Sequence, residues 1–326
     1  MGAAYVGLNG SIVKGSEAVI SVYDHGFLYG MGLFETFRTY GGGKPYLLDR
    51  HLERLEDGCR QLGIRYRSDA EEVARWVRRL LDANGLEDGY VRLTVSAGAG
   101  ELGLPAGDYE EPAALLMVRA LPEQDEASWE RGRELRLLRT RRNTPEGPVR
   151  YKSLHYMNNI IAKRELGEAM SAPHGRVGGT TSSGRSGVSK TPGAASAPAL
   201  AASPIGAEGL MLSEGGWLAE GIVSNLFWMS GGVVRTPSVD TGILPGVTRR
   251  RVLELAALEG WAAEEGLYEW TDLLEADEIW LTNSIQELVP VTLLTDVEGR
   301  RTTVGRGTAG PAVRRLLDAY REDTKK

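Results

Sequence analysis

The sequence predicts a mixed α/β (α+β) fold built from two domains. Its 326 residues exceed one small domain, and its 42% hydrophobic and 25% charged residues are typical of a globular chain with a buried core. Segments with strand and helix periodicity follow one another in both halves of the chain, which favours helices layered on sheets. No run approaches the roughly 18 apolar residues of a membrane helix, so no membrane partner is predicted.

The first half of the chain contains four predicted strands and two predicted helices. The strands are expected at Ala18–Tyr23, Leu33–Tyr40, Tyr90–Ser96 and Ala113–Arg119. Apolar residues at helical spacing predict one helix through Leu48, His51, Leu52, Leu55, Cys59 and Leu62, and a second through Val73, Trp76, Val77, Leu80 and Leu81. The acidic, turn-like segment Leu121–Trp129 indicates a linker, assigned to residues 122–129.

The second half resumes the same mixture of elements. Strands are predicted at Glu134–Arg139, Leu210–Leu212, Asn225–Met229, Val233–Arg235 and Glu278–Leu281, and helices at Thr248–Leu258 and Ala309–Arg321. Within residues 171–207, 29 of 37 residues are Gly, Ser, Ala, Pro or Thr. That low-complexity composition predicts a disordered surface insertion. A neutral, solvated loop is favoured over a lid or a partner tether.

Charge and cysteine content exclude several classes of protein. The net charge is 38 − 44 = −6, which disfavours a nucleic-acid partner. A single cysteine, Cys59, permits no intrachain disulfide and no thiolate zinc cluster, and the four histidines include no i, i+4 pair, so no metal site is predicted. The first residues lack the layout of a signal peptide. A reducing, cytoplasmic location is therefore expected.

Lys152 is the lysine with the strongest case for chemistry among only seven in the chain. It follows the segment 148–151 and precedes a predicted amphipathic helix that carries Tyr156, Ile160 and Ile161. Desolvation at such a junction lowers the pKa of a lysine, and a neutral amine can form a Schiff base with a carbonyl. The alternative is a lysine that ends a strand at the surface.

Three further segments have the chemistry of a phosphate site or a ring-nitrogen site. The loop Thr241–Thr248 runs into a helix, where backbone N–H groups and the Thr248 hydroxyl suit a phosphate; an ordinary helix cap is the alternative. Thr282-Asn-Ser284 offers more hydroxyl groups. Glu220 could pair with a protonated ring nitrogen or be a simple turn residue. No Walker or dinucleotide-binding glycine motif is present.

The order of these segments along the chain is more specific than any one of them. Six blocks resemble the class IV family of aminotransferases that depend on pyridoxal 5'-phosphate (PLP). They are Tyr23–Thr36, His51–Arg54, Lys152, Glu220–Asn225, Leu244–Arg249 and Thr282–Ser284. This family contains branched-chain aminotransferases, D-amino-acid transaminases and 4-amino-4-deoxychorismate lyases. The resemblance covers nearly the whole chain except residues 171–207.

The resemblance implies a D-amino-acid aminotransferase-like fold with PLP in the cleft between two domains, and a homodimer. The domains would then be residues 1–121 and 130–326, joined by the linker at 122–129. Lys152 matches the lysine that holds PLP covalently and moves protons, and Glu220 matches the carboxylate on the pyridinium nitrogen. The remaining cofactor-binding residues that the resemblance implies are Arg54, Tyr156, Val247, Thr248 and Ser284.

Two strings, Arg150–Glu165 and Gly30–Arg38, look most like the lyase branch of the family. That branch converts 4-amino-4-deoxychorismate to 4-aminobenzoate and pyruvate in folate biosynthesis, and Thr36 aligns with a threonine implicated in its proton transfer. The Arg-x-His element of D-amino-acid transaminases is missing after Ser96. An aminotransferase acting on branched-chain or D-amino acids is the alternative, and a dimeric scaffold without catalytic activity is a remote one. The sequence assigns no residues to the substrate carboxylates.

Overall fold

The computed structural model describes residues 4–123, 125–171 and 206–326. It contains two β-sheets, one formed by strands before residue 120 and one formed by strands after residue 132. The predicted linker at 122–129 lies between the last strand of the first sheet and the first strand of the second. Nearly all of the predicted insertion at 171–207 lies outside the described residues.

The first sheet has six strands in the order β2-β1-β6-β5-β3-β4, and all its pairings are antiparallel. Its strands are β1 (Tyr5–Leu8), β2 (Ser11–Lys14), β3 (Gly32–Tyr40), β4 (Lys44–Pro45), β5 (Tyr90–Ser96) and β6 (Ala113–Arg119). The short helix α1 (His25–Tyr29) precedes β3. Helices α2 (Leu48–Gln61) and α3 (Ala70–Ala83) pack their apolar faces against this sheet and form one core with it.

The second sheet is mixed and has nine strands, in the order β12-β11-β10-β13-β14-β7-β8-β9 with β15 beside β14. Its strands are β7 (Arg133–Leu137), β8 (Ala207–Leu212), β9 (Leu218–Gly221), β10 (Asn225–Ser230), β11 (Val233–Pro237), β12 (Ala262–Gly266), β13 (Glu278–Asn283), β14 (Glu287–Thr295) and β15 (Arg301–Thr303). The helices of this half are α4 (Glu126–Arg131), α5 (Met157–Ser171), α6 (Val247–Leu258), α7 (Trp270–Leu274) and α8 (Pro311–Asp323). Apolar side chains on α6 and α8 pack against β10 and β13.

The mixed α/β architecture is confirmed, and one predicted strand is wrong. Residues 18–23 form no strand, because this apolar segment has no hydrogen-bonded neighbour in the described sheets. Val19 is 77% exposed and Val22 is 68% exposed. A short run of apolar residues indicates a strand only when its side chains are buried, and here most of them are exposed.

The turn structure predicted for 121–129 and the apolar face predicted for the helix after Lys152 also need correction. Helix α4 begins inside the segment that was predicted to be turn-like, because the Asp125 side chain accepts a hydrogen bond from Ser128 N and caps it. Helix α5 forms, but it begins after Tyr156, and the side chains of Ile160 and Ile161 are about half exposed. The buried side of α5 instead carries Asn159, Ala162 and Leu166.

None of the helices in the described part of the chain has the length and hydropathy needed to cross a bilayer. The described residues also contain no group of three or more His, Cys, Asp or Glu side chains arranged to hold a metal ion.

Candidate active site

A cavity of about 430 Å³ lies between the two sheets. All eight residues that the sequence assigned to the site line this cavity. They are Thr36, Arg54, Lys152, Tyr156, Glu220, Val247, Thr248 and Ser284. They come from β3, α2, the segment before α5, β9, α6 and the turn between β13 and β14. Residues as far apart in the chain as Thr36 and Ser284 are therefore brought to a single concave surface.

Lys152 lies in an extended segment that is fastened to β3 rather than at the end of a regular strand. Phe34 N donates to the carbonyl of Lys152 at 2.8 Å, and Leu154 N donates to Gly32 O at 3.0 Å. The Lys152 Nζ lies 4.7 Å from the centroid of the Phe34 ring. Burial, followed by the positive charge of Arg54, lowers the pKa of Lys152 to about 8. The amine is thus held where a substantial fraction is neutral near physiological pH.

The Glu220 carboxylate, on β9, is held from three directions. Arg142 Nε donates to its Oε1 at 2.8 Å, while the backbone N–H of Leu244 donates to its Oε2 at 3.0 Å. The side-chain amide of Asn225 donates to the same Oε2 at 3.3 Å. A carboxylate has about four acceptor positions, so one remains for a donor in the cavity. The ion pair with Arg142 is almost fully buried.

The first turn of α6 has the features of an anion site. Gly246 precedes the helix and no side chain caps it, so the N–H groups of this turn are available. A Cβ on Gly246 would lie 2.1 Å from Asn225 Oδ1, which is why this position requires glycine. The Thr248 and Ser284 hydroxyl oxygens are 3.0 Å apart and join the turn to the β13–β14 turn.

Arg54 is bound to a carboxylate behind the cavity wall. Its Nε and Nη2 donate to the two oxygens of Glu35 at 2.8 and 2.7 Å, and its Nη1 donates to Pro245 O at 2.8 Å. These contacts use three of the five guanidinium N–H donors, so two remain for a ligand. The charge of Arg54 and the His51 hydrogen bond overcome burial and lower the pKa of Glu35 to about 2.

His51 connects this buried ion pair to the hydroxyl groups of the anion site. Burial lowers the pKa of its imidazole, which keeps the ring neutral. Because Glu35 is ionised and can only accept, His51 Nδ1 must carry the proton and donate to it at 2.7 Å. His51 Nε2 is then an acceptor for the Ser284 hydroxyl at 3.4 Å. The orientation of these hydroxyl groups therefore depends on Glu35.

Thr36 and Tyr156 line the cavity from different elements. Thr36 lies on β3 directly opposite Arg92 of β5. The Tyr156 ring packs edge-on against Phe34, with ring centroids 5.6 Å apart, and burial raises its pKa. Both side chains thus share the Phe34 neighbourhood with Lys152.

The sequence reasoning missed several residues that complete the site. Glu35 and His51 lie inside two of the sequence blocks that resemble the family. His51 is three residues before Arg54 and therefore on the same face of α2, a spacing that could have predicted its place in the site. Arg142 had no such signal, because its partner Glu220 is 78 residues away. The buried hydroxyls of Ser224 and Thr282 line the cavity and have no hydrogen-bond partner in the described residues.

These groups fit PLP. The cavity provides a partly neutral lysine amine, a carboxylate with a free acceptor position, an uncapped helix start and two unpartnered hydroxyl groups. The free acceptor position of Glu220 suits the ring nitrogen of PLP, and the uncapped start of α6 suits its phosphate.

The fold and the site define a class of protein, and comparison with known proteins agrees. The model of the amino-transferase class IV family matches residues 32–170 and 196–294, so the chain belongs to that family. The family depends on PLP, and PLP is therefore the cofactor, as the sequence predicted.

Individual relatives show where the chain stands within the family. It is 41% identical over 292 residues to the aminodeoxychorismate lyase of Bacillus subtilis (strain 168), covering 89% of this chain and 86% of that protein. The 4-amino-4-deoxychorismate lyase structure from Pseudomonas aeruginosa matches with a TM-score of 0.73 and 28% identity, covering 98% of each chain. A branched-chain aminotransferase from Escherichia coli matches with a TM-score of 0.77 and 23% identity, covering 98% of this chain and 94% of that one, and supports the fold alone.

Proposed function

We propose that this protein is a PLP-dependent lyase that converts 4-amino-4-deoxychorismate to 4-aminobenzoate and pyruvate. The observation that carries the proposal is the 41% identity to the aminodeoxychorismate lyase of Bacillus subtilis over most of both chains. The site supports it, because Lys152, Glu220 and the first turn of α6 face one cavity. Retention of all these groups argues against a dimeric scaffold without activity.

Lys152 moves the protons of the proposed reaction. Its Nζ removes the proton from C4 of the substrate, since an amine with a pKa of about 8 is an effective base near neutral pH. PLP, when bound, supplies an electron sink for the negative charge that this creates. The C3–O bond then breaks and pyruvate leaves as its enol form, which gains a proton on carbon. Thr36, which lines the cavity, would donate a proton to the leaving oxygen.

The other predicted residues bind the cofactor in this proposal. Glu220 would keep the pyridine nitrogen protonated, because Arg142, Asn225 and Leu244 hold its carboxylate in place. The phosphate would lie at the start of α6. It would be bound by Arg54, Val247, Thr248 and Ser284. Tyr156 would contact the cofactor from the side of Phe34.

An aminotransferase acting on branched-chain or D-amino acids is the second candidate. The match to the amino-transferase class IV family model is the observation in its favour. Such an enzyme would use the same lysine and the same cofactor grip but would require a 2-oxo acid to complete its cycle.

The proposal includes a homodimer in a reducing, cytoplasmic setting, with domains at 1–121 and 130–326. Apolar side chains around Phe27 are exposed and lie next to the start of α5, where His155 Nε2 bonds to Tyr29 O at 2.9 Å. A second copy of the chain would cover these side chains. The single cysteine, Cys59, is buried and free, as suits a reducing compartment.

The test is a product assay with purified, PLP-loaded protein and 4-amino-4-deoxychorismate, without any 2-oxo acid. We expect 4-aminobenzoate and pyruvate in equal amounts, formed over many turnovers, and no product from Lys152→Ala. If the protein holds PLP but forms no product, the lyase is excluded. Turnover of D-alanine or L-leucine with 2-oxoglutarate would then establish the aminotransferase.

A further inference from the structure

The cavity is strongly cationic although the chain as a whole is acidic. Six cationic side chains line it, whereas Glu220 is the sole carboxylate among its described lining residues. They are Arg54, Arg92, Arg119, Arg142, Arg150 and Lys152. Such an excess of positive charge favours a ligand with several negative charges, and a cofactor phosphate accounts for part of it.

Three of the five arginines are already engaged by the protein. Arg54 binds Glu35, and Arg142 binds Glu220. Arg150 donates to Gly242 O at 2.5 Å and to the backbone carbonyl of Asn143. Their side chains are thus committed to shaping the cofactor end of the cavity.

Arg92 and Arg119 are different, because aromatic rings rather than carboxylates hold them. The Arg92 Cζ lies 3.5 Å from the centroid of the Phe34 ring, and the Arg119 Cζ lies 4.3 Å from that of Tyr90. In the described part of the chain neither makes a salt bridge. Stacking occupies the face of a guanidinium and leaves donors at its edge available for a carboxylate. Arg92 Nε donates to Thr94 Oγ1 at 3.3 Å, so its two Nη groups are the ones left for a ligand.

The sheet register places these arginines in a row that begins at Thr36. Arg92 is directly opposite Thr36, and Arg119 is opposite Tyr90, one strand further from β3. Directly opposed residues have Cβ atoms about 5 Å apart, and diagonal neighbours such as Arg92 and Arg119 are about 7–8 Å apart. A ligand whose amine is at Lys152 would therefore extend along the row from Thr36 to Arg92 and then to Arg119.

We propose that Arg92 and Arg119 form a two-point grip for the two carboxylates of the substrate. The inference rests on the proposed lyase function, whose substrate has both groups. Arg92, beside Thr36, binds the carboxylate of the enolpyruvyl group, which is attached next to the amine-bearing carbon. Arg119, at the exposed end of the row, binds the carboxylate on the opposite side of the ring. Arg119 is thus a specificity residue for a ring acid.

The test measures binding rather than turnover. Isothermal titration would compare chorismate, which has both carboxylates, with 4-hydroxybenzoate, which has the ring carboxylate alone. Neither has the 4-amino group, so neither reacts with the cofactor. The proteins are PLP-loaded wild type, Arg92→Gln, Arg119→Gln, Arg119→Lys and the control Arg75→Gln, which removes one positive charge from the exposed face of α3. The absorption of the bound cofactor checks that each variant is folded.

We expect Arg119→Gln to weaken both ligands by about tenfold or more, since a hydrogen bond to a charged group is lost. Arg119→Lys should bind both ligands with intermediate affinity, because it keeps the charge but loses the two-pronged geometry. Arg92→Gln should weaken chorismate by a similar factor and leave 4-hydroxybenzoate unchanged, and Arg75→Gln should match wild type.

The proposal is overturned if Arg119→Gln binds 4-hydroxybenzoate as tightly as wild type, if Arg92→Gln keeps the preference for chorismate, or if the wild type binds neither ligand. Failure of the proposed lyase function can be told apart from failure of the proposed carboxylate grip. Arginine-dependent binding without product in the lyase assay would leave the grip standing and remove the lyase reaction.

Discussion

At the residue scale, charge and burial act together to prepare individual side chains. Lys152 loses solvent between the Phe34 ring and the cavity wall, and Arg54 adds a positive charge nearby, while Glu35 and Glu220 oppose the shift only in part. Glu35 is buried too, but its two cationic or donor partners keep it ionised. Burial therefore shifts the pKa of Lys152 toward neutral pH but does not raise the pKa of Glu35, and the difference comes from the neighbours.

The pH dependence of PLP capture should report the lowered pKa of Lys152. We expect the rate of covalent attachment to the PLP-free protein to rise with pH around a midpoint near 8, because the neutral amine is the nucleophile. Borohydride trapping followed by mass spectrometry of the Lys152 peptide measures it, with Lys152→Ala as the control. A midpoint near 10.5, the ordinary lysine value, would contradict the burial argument.

Glu35→Gln should destabilise the PLP-free protein by about 3–5 kcal/mol at pH 7, because it leaves Arg54 without its counter-charge. The pKa of Glu35 is depressed from 4.5 to about 2, so the stability that its charge contributes is fully present above pH 4.5 and is lost as the pH falls toward 2. The difference in the free energy of unfolding between Glu35→Gln and the wild type should therefore narrow as the pH falls from 4.5 toward 2. Urea unfolding at several pH values measures it.

The matched control is Glu71→Gln on α3, whose side chain is 87% exposed. It should change the free energy of unfolding by less than about 0.5 kcal/mol at every pH. The stabilising role of the buried ion pair would be refuted if Glu35→Gln and Glu71→Gln changed the free energy of unfolding equally. It would also be refuted if the destabilisation by Glu35→Gln stayed constant down to pH 2.

At the scale of elements, the site is built where regular structure starts or ends. The first turn of α6 offers its N–H groups because Gly246 provides no cap, and Asn225 at the start of β10 packs against that glycine. Asn225 also holds Glu220 Oε2 and Leu244 O. The two ends of the proposed cofactor site are thus coupled through a single amide side chain.

Gly246→Ala should therefore weaken PLP binding by about tenfold or more, because the added Cβ displaces Asn225 and breaks its hydrogen bonds. Gly167→Ala is the matched control, because Gly167 lies on the exposed side of α5 with open space at its Cβ. That change should stabilise the fold by about 0.5–1 kcal/mol through helix propensity and leave PLP affinity unchanged. Fluorescence titration measures the affinity of each variant for PLP. Equal affinities of Gly246→Ala and Gly167→Ala would exclude the coupling through Asn225.

At the scale of the whole molecule, two sheets and the segment between them enclose the cavity, while a second surface remains apolar. Phe27 is 74% exposed and Met157 is 74% exposed, although each lies beside the hydrogen-bonded junction of His155 and Tyr29. Exposed apolar side chains grouped in this way are typical of a contact between protein chains. The proposed homodimer would bury them.

Phe27→Asp should convert the proposed dimer to a monomer, since a charge would be buried in an apolar contact. Sedimentation velocity at micromolar concentration measures the change. Leu258→Asp is the control, because Leu258 is equally exposed, at 75%, and lies at the end of α6. A wild-type protein that sediments as a monomer, or equal behaviour of the two variants, would remove the homodimer from the proposal.

Local sequence patterns predicted the family, the cofactor and most of the elements. The long helices α2, α3, α6 and α8 were predicted because an amphipathic period survives in any fold that buries one face. Strands such as β9 and β12 were missed, since four or five residues provide too short a pattern to recognise. The segment 18–23 was wrongly predicted to be a strand for the converse reason. Its run of apolar residues is typical of a strand, but no element among the described residues covers them.

The sequence by itself determined which chemical groups the site contains, because a lysine, a carboxylate and a helix start keep their chemistry in any fold. Tertiary structure decided what those groups do. The partners of Glu220 and Arg54 are 78 and 19 residues away, and the Arg92–Arg119 row exists only through strand pairing. Charge and desolvation act across space rather than along the chain. The lowered pKa of Lys152 and the proposed substrate grip therefore followed only from the folded structure.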